Sequence, residues 1–99
     1  MERLEQIKSI LEQQKTYLKE KYEVKEIGIF GSYIRGKQKK KSDVDILIEF
    51  EPDSKMDLLT FVELENYLSD LLGIKVDLVM KTALKPRIGK HILDEVVYL

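Results

Sequence analysis

The stretch VKEIGIFGSYIRGKQKKKSDVDILIEF, residues 24–50, sets two short apolar segments around a polar, glycine-punctuated middle. Val24 to Phe30 is dense in β-branched and aromatic residues and stops at Gly31-Ser32, the pattern of a strand that ends in a tight turn. From Asp43 to Phe50 the chain alternates. Val44, Ile46 and Ile48 point one way, and Asp43, Asp45, Leu47 and Glu49 point the other, which predicts a second strand. Between them, Gly31 to Ser42 reads as a loop with room for one helical turn, and it carries the basic run Lys37-Gln38-Lys39-Lys40-Lys41.

The flanks read as helices and one more strand. Upstream, Leu4, Ile7, Leu11 and Leu18 recur at helical spacing, widened by Ile10 and Tyr17, and predict an amphipathic helix over residues 2–21. Downstream, Glu51-Pro52-Asp53 breaks the second strand, and Ser54 with Asp57 three residues on resembles a capping box. Leu58, Leu59, Val62, Leu68, Leu71 and Leu72 then make a helical stripe, with Gly73 in the place of a C-terminal cap. Ile74 to Met80 predicts a third strand, with Ile74, Val76 and Leu78 on one face and Lys75, Asp77 and Val79 on the other. Pro86 suits the first turn of a last helix, whose face to be buried is Ile88, Ile92 and Val96. Val96-Val97-Tyr98-Leu99 suits either the edge of a core or a partner surface. The fold class expected is α/β of the α+β kind, a small mixed sheet of three strands, or four, packed by about four helices.

Composition bounds the rest. Ninety-nine residues suit one domain, residues 1–99, because independent cores need on the order of 100 residues each. The chain is 43% hydrophobic and 35% charged, which provides for a core and argues against disorder. Seventeen Lys+Arg against 18 Asp+Glu give a net charge of −1, unlike the strongly basic balance of a protein that coats nucleic acid, so no direct nucleic-acid binding is expected. There is no cysteine, which excludes a disulfide framework, a thiolate zinc site and a cysteine nucleophile and fits a cytoplasmic setting. No apolar run approaches the ~18 residues of a membrane span, and the charged start at Met1 to Lys8 is unlike a signal peptide.

The chemistry gathers in the second and third strands. Residues two apart on a strand share a face at roughly 7 Å, so Asp43 and Asp45 project side by side, and Asp77, bracketed by Val76 and Leu78, suits the same face of an adjacent strand. Two such charges at an effective dielectric near 20 repel by about 2 kcal/mol. Stability alone does not favour that arrangement, whereas a divalent cation such as Mg²⁺, which takes carboxylate oxygens and leaves positions for phosphate and water, reverses the sign. Taken alone, Asp43 and Asp45 also suit a strand that starts after a turn. Gly31-Ser32 adds a turn whose backbone N–H groups and hydroxyl can meet an anion, followed by Arg35-Gly36 and Ser42. Together these describe a pocket for a nucleoside triphosphate with its metals. The lysine run reads as a solvated surface, His91, near one-turn spacing from Arg87 and Glu95, as solvent-exposed, and the tyrosines as core or rim residues, with contact to a nucleotide or modification as the alternative for Tyr33.

Gly31-Ser32-Tyr33-Ile34-Arg35-Gly36, Ser42-Asp43-Val44-Asp45 and Val76-Asp77-Leu78 resemble the signature of the polymerase-beta-like nucleotidyltransferase superfamily. The Leu72-Gly73 helix end, the Lys75 to Val79 strand and Ala83-Leu84-Lys85-Pro86 resemble one branch, the minimal nucleotidyltransferase (MNT) antitoxins of HEPN/MNT toxin-antitoxin pairs. The resemblance implies that Gly31, Ser32, Arg35 and Ser42 bind the nucleotide and that Asp43, Asp45 and Asp77 are catalytic and hold two Mg²⁺ ions. It implies ATP as substrate, a HEPN-family toxin as partner, and transfer of AMP to a tyrosine of that toxin. Where many members carry a basic residue and alanine after Gly-Ser, this chain has Tyr33-Ile34, which places more of the phosphate charge on Arg35. The alternatives are a non-catalytic antitoxin that acts by binding, and a nucleotidyltransferase that acts on a small molecule.

Overall fold

The computed structural model describes residues 3–99. Ile7, Leu11 and Leu18 are buried at helical spacing along α1 (Arg3–Tyr22), which ends where Glu23 takes a left-handed φ of 58° and turns the chain into β1 (Val24–Phe30). A single helical turn, α2 (Ser32–Arg35), follows Gly31 and closes on Gly36 with a φ of 69°. The basic run is an exposed loop leading to β2 (Val44–Phe50). Then come α3 (Leu58–Leu72), β3 (Val76–Met80), a 3₁₀ turn (Lys81–Ala83), α4 (Pro86–Glu95) and a two-residue strand, β4 (Val97–Tyr98). The expected α+β class holds, with four helices on a four-stranded mixed sheet among the described residues.

The strands lie in the order β3-β2-β1-β4. β1 runs antiparallel to both β2 and β4, while β2 and β3 are parallel and are joined through α3, as parallel strands require a crossover. The core holds Ile7, Leu11 and Leu18 from α1, Ile27 and Ile29 from β1, Val44, Ile46 and Ile48 from β2, Leu64 and Leu68 from α3, and Val76 and Leu78 from β3. None of the described helices is long and apolar enough to cross a membrane.

Several local expectations are corrected. Asp57, not Ser54, caps α3, accepting from the Thr60 N–H at 2.8 Å, so the helix starts later than a box built on Ser54 would place it. Leu58 and Leu59 are 75% and 82% exposed and Val62 is also exposed, whereas Leu64, Leu68 and Leu72 are buried and Phe61 packs against the core. Leu47, expected on the polar face of β2, is buried because β2 is an interior strand. Its register partners are Gly28 and Val79, and a Cβ at Gly28 would come within 2.6 Å of Val96 Cγ2, so the C-terminal segment covers this side of the sheet. Ile88 is 62% exposed, and Gly89, against Leu84 Cβ, is the buried residue of α4. β3 starts at Val76 rather than Ile74. Tyr33 is buried in the core.

Candidate active site

The parallel pairing of β2 with β3 puts Asp45 and Asp77 directly opposite each other, between the pairs Val44↔Val76 and Ile46↔Leu78. The apolar residues on either side lock that register, since a slip by one position would turn Val44, Ile46, Val76 and Leu78 out of the core. Asp43 sits just before β2, two residues from Asp45, and is half-buried, as Asp45 is; Asp77 is exposed. Burial, reinforced by Asp77 and then by Asp43, pushes the Asp45 carboxyl up to about 6, with Glu95 adding to the rise and the Arg35 guanidinium opposing it. Three carboxylates are therefore close enough to act on one another.

Phe30 is opposite Asp45 on the other side of β2, so the chain leaves β1 beside that carboxylate. Gly31 has φ 80° and ψ −152°, a region that L side chains rarely enter. A Cβ built on it would run into the Asp45 carboxylate, so a glycine is needed here both for conformation and for space. The turn continues into α2, where the Ile34 and Arg35 N–H groups donate to the Gly31 carbonyl at 3.0 and 3.1 Å. Ser32 opens α2 and is half-buried.

The two remaining nucleotide-site residues are placed differently. Arg35 reaches across to α4, where its Nη1 lies 3.2 Å from Glu95 Oε1 and 3.3 Å from Oε2. The Ser42 Oγ accepts from the Lys39 N–H at 2.7 Å, which ties its side chain into the turn before β2. Gly31, Ser32, Arg35, Asp43, Asp45 and Asp77 thus come to one end of the sheet, and Ser42 stands at its margin. His91 is exposed on α4 and remote from this role.

One residue of the site has no counterpart in the sequence motifs. Glu95, at the end of α4, accepts the Gly31 N–H at 2.9 Å while pairing with Arg35. The signal that could have found it is a continuation of register. The β1/β4 pairs Gly28↔Tyr98 and Ile29↔Val97, extended two steps, put Glu95 opposite Gly31.

The donor set suits a hard divalent cation. It consists of carboxylate oxygens, and Asp45 is raised first by burial and then by the neighbouring Asp77 and Asp43 charges, which a cation would offset. Among the described residues no three His, Cys, Asp or Glu side chains are grouped closely enough to hold a metal ion by themselves.

Comparison with known proteins agrees with this geometry. A nucleotidyltransferase domain family model matches residues 11–99. The chain is similar to protein adenylyltransferase MntA of Thermococcus cleftensis, 56% identical over 96 residues that span 97% of this chain and 95% of that protein. It also resembles a solved structure of a candidate minimal nucleotidyltransferase, at a TM-score of 0.74 and 29% identity over 94% of this chain and 95% of that one. A toxin-antitoxin crystal structure with AMP-PNP matches at a TM-score of 0.71 and 25% identity over 88% of this chain and 70% of that one. With the family model spanning nearly its whole length and its motifs meeting at one end of the sheet, the chain belongs to the nucleotidyltransferase domain family, in the minimal nucleotidyltransferase branch.

Proposed function

We propose that the protein is a Mg²⁺-dependent adenylyltransferase and the antitoxin of a toxin-antitoxin pair, moving AMP from ATP to a tyrosine of a HEPN-family toxin in the cytoplasm. The observation that carries this reading is the register pairing of Asp45 with Asp77 beside the Gly31 turn. The activity named for its Thermococcus relative supports the reaction, and the toxin-antitoxin neighbour with AMP-PNP supports both partner and nucleotide.

In this reading the Gly31-Ser32 turn and Arg35 hold and orient the triphosphate, with Ser42 at the rim. Asp43, Asp45 and Asp77 hold two Mg²⁺ ions, which when bound neutralise the triphosphate and make the acceptor hydroxyl easier to ionise. Asp77, the exposed member, accepts the proton of the incoming tyrosine hydroxyl. The tyrosine oxygen bonds to the α-phosphorus, the α–β bridging bond breaks, and pyrophosphate leaves in line. Asp45, whose carboxyl titrates near 6 without a cation, is ionised and ready to bind one at neutral pH.

The test is mass spectrometry of the chain incubated with Mg-ATP and the HEPN protein encoded beside it. A partner that gains one or more AMP units, with its acceptor tyrosine identified by fragmentation, supports the reading. Asp43→Ala and Asp45→Ala are each expected to cut transfer by at least about 100-fold with the fold retained, and full activity in either would refute the site assignment. A tight complex with unchanged masses would point instead to an antitoxin that acts by binding.

A further inference from the structure

We infer that Glu95 is a positioning residue of the nucleotide site, which aims Arg35 at the triphosphate and ties the Gly31 turn to the C-terminal helix; this rests on the nucleotidyltransferase reading. The argument starts from the sheet. The β1/β4 ladder pairs Ile29 with Val97, and there the strand pairing ends. Gly31, two residues beyond Ile29 and just past the end of β1, is buried and has an N–H that the ladder no longer serves. The Glu95 side chain takes the place of the missing strand and accepts that N–H at 2.9 Å. The same carboxylate holds Arg35, and both contacts fall on Nη1, at 3.2 and 3.3 Å. Among the described residues Nη2 and Nε make no hydrogen bond, so that edge of the guanidinium is open.

The energetics favour a positioning role over a stabilising one. The Arg35 side chain is 54% exposed and that of Glu95 is 24% exposed, and pairs this wet add little to folding. The pairing does restrict a long, flexible arginine to one orientation beside the turn, which lowers the ordering cost of the phosphate contact. The last turn of α4 thereby becomes part of the site, although it carries none of the family motif.

The experiment is titration calorimetry of AMP-PNP with Mg²⁺ into four proteins, the wild type, Glu95→Gln, Arg35→Gln and the double variant, with melting temperatures alongside. Glu95→Gln keeps an oxygen for the Gly31 N–H and loses only the charge that holds Arg35. The expected result is binding about tenfold weaker for Glu95→Gln, in the range seen when a residue that orients a ligating group is removed. Arg35→Gln is expected to lose at least as much, and the double variant to be no more than about twofold weaker than Arg35→Gln. Glu95→Asp, which keeps the charge on a shorter arm, falls between Glu95→Gln and wild type. In transfer assays the loss appears in KM for ATP more than in kcat. Binding by Glu95→Gln within twofold of wild type, or an equal loss from Glu95→Gln in the Arg35→Gln background, overturns the inference while leaving the nucleotide site intact. Absence of binding by the wild type itself would overturn the nucleotidyltransferase reading and this inference with it.

Discussion

Gly31 tolerates no side chain, because its backbone is left-handed and a Cβ would overlap the Asp45 carboxylate. The turn and the acid were legible in the sequence as separate motifs, but their contact was not, since it depends on β1 and β2 pairing with Phe30 opposite Asp45. That contact has an electrostatic consequence. Asp45 titrates near 6 in the fold, raised by burial and by Asp77 and Asp43, against an unfolded value near 3.9. Between those values the folded chain binds more protons than the unfolded one, so stability falls as pH rises from about 4 to 6 and stays lower above. Asp45→Asn should therefore raise the stability of metal-free protein at pH 7 by about 1 kcal/mol after allowance for solvent screening. The gain should vanish at pH 4, and denaturant titrations at the two pH values check it.

Among the elements, the seam between α1 and α3 was only half visible. The periodicity of α1 named Ile7, Leu11 and Leu18, and all three are buried. Along α3 the expected stripe holds at Leu68, Leu71 and Leu72 but not at Leu58, Leu59 and Val62, which are exposed, because hydrophobic spacing marks a face without saying how far along the helix a partner extends. Tyrosines finish the seam. Tyr17 and Tyr22 pack edge to face with ring centres 6.3 Å apart, the Tyr22 hydroxyl donates to Glu63 Oε2 at 3.1 Å, and the Tyr67 hydroxyl donates to Gln14 Oε1 at 2.8 Å. Tyr22→Phe removes one of these bonds from a ring that is otherwise buried, and is expected to cost about 1 kcal/mol. Urea unfolding should show a lower midpoint with an unchanged slope.

For the molecule as a whole, the C-terminal segment closes the sheet. β4 covers the outer side of β1, the Leu99 N–H donates to the Ile27 carbonyl at 3.0 Å, and Lys15 Nζ donates to the Leu99 carbonyl at 2.8 Å. Within this segment Val97–Tyr98 forms the edge strand of the sheet and Leu99 packs against the core. Removing residues 97–99 would expose β1 as an edge strand. The expected outcome is a loss of about 2 kcal/mol together with concentration-dependent self-association, checked by thermal melting and sedimentation velocity.

Local periodicity decided the type of nearly every element, because helix and strand spacing are written in residues a few positions apart. The three carboxylates and the glycine turn were likewise readable, since flanking apolar residues fix which way a strand residue points: Val76 and Leu78 around Asp77 repeat Val44 and Ile46 around Asp45. Only the tertiary structure decided that Leu47 is interior, that Tyr33 is buried, and that Glu95 meets Gly31 and Arg35. Those outcomes depend on how many strands flank β2 and on where a two-residue strand docks some 70 positions from its partner. Such long-range packing leaves no period in the chain.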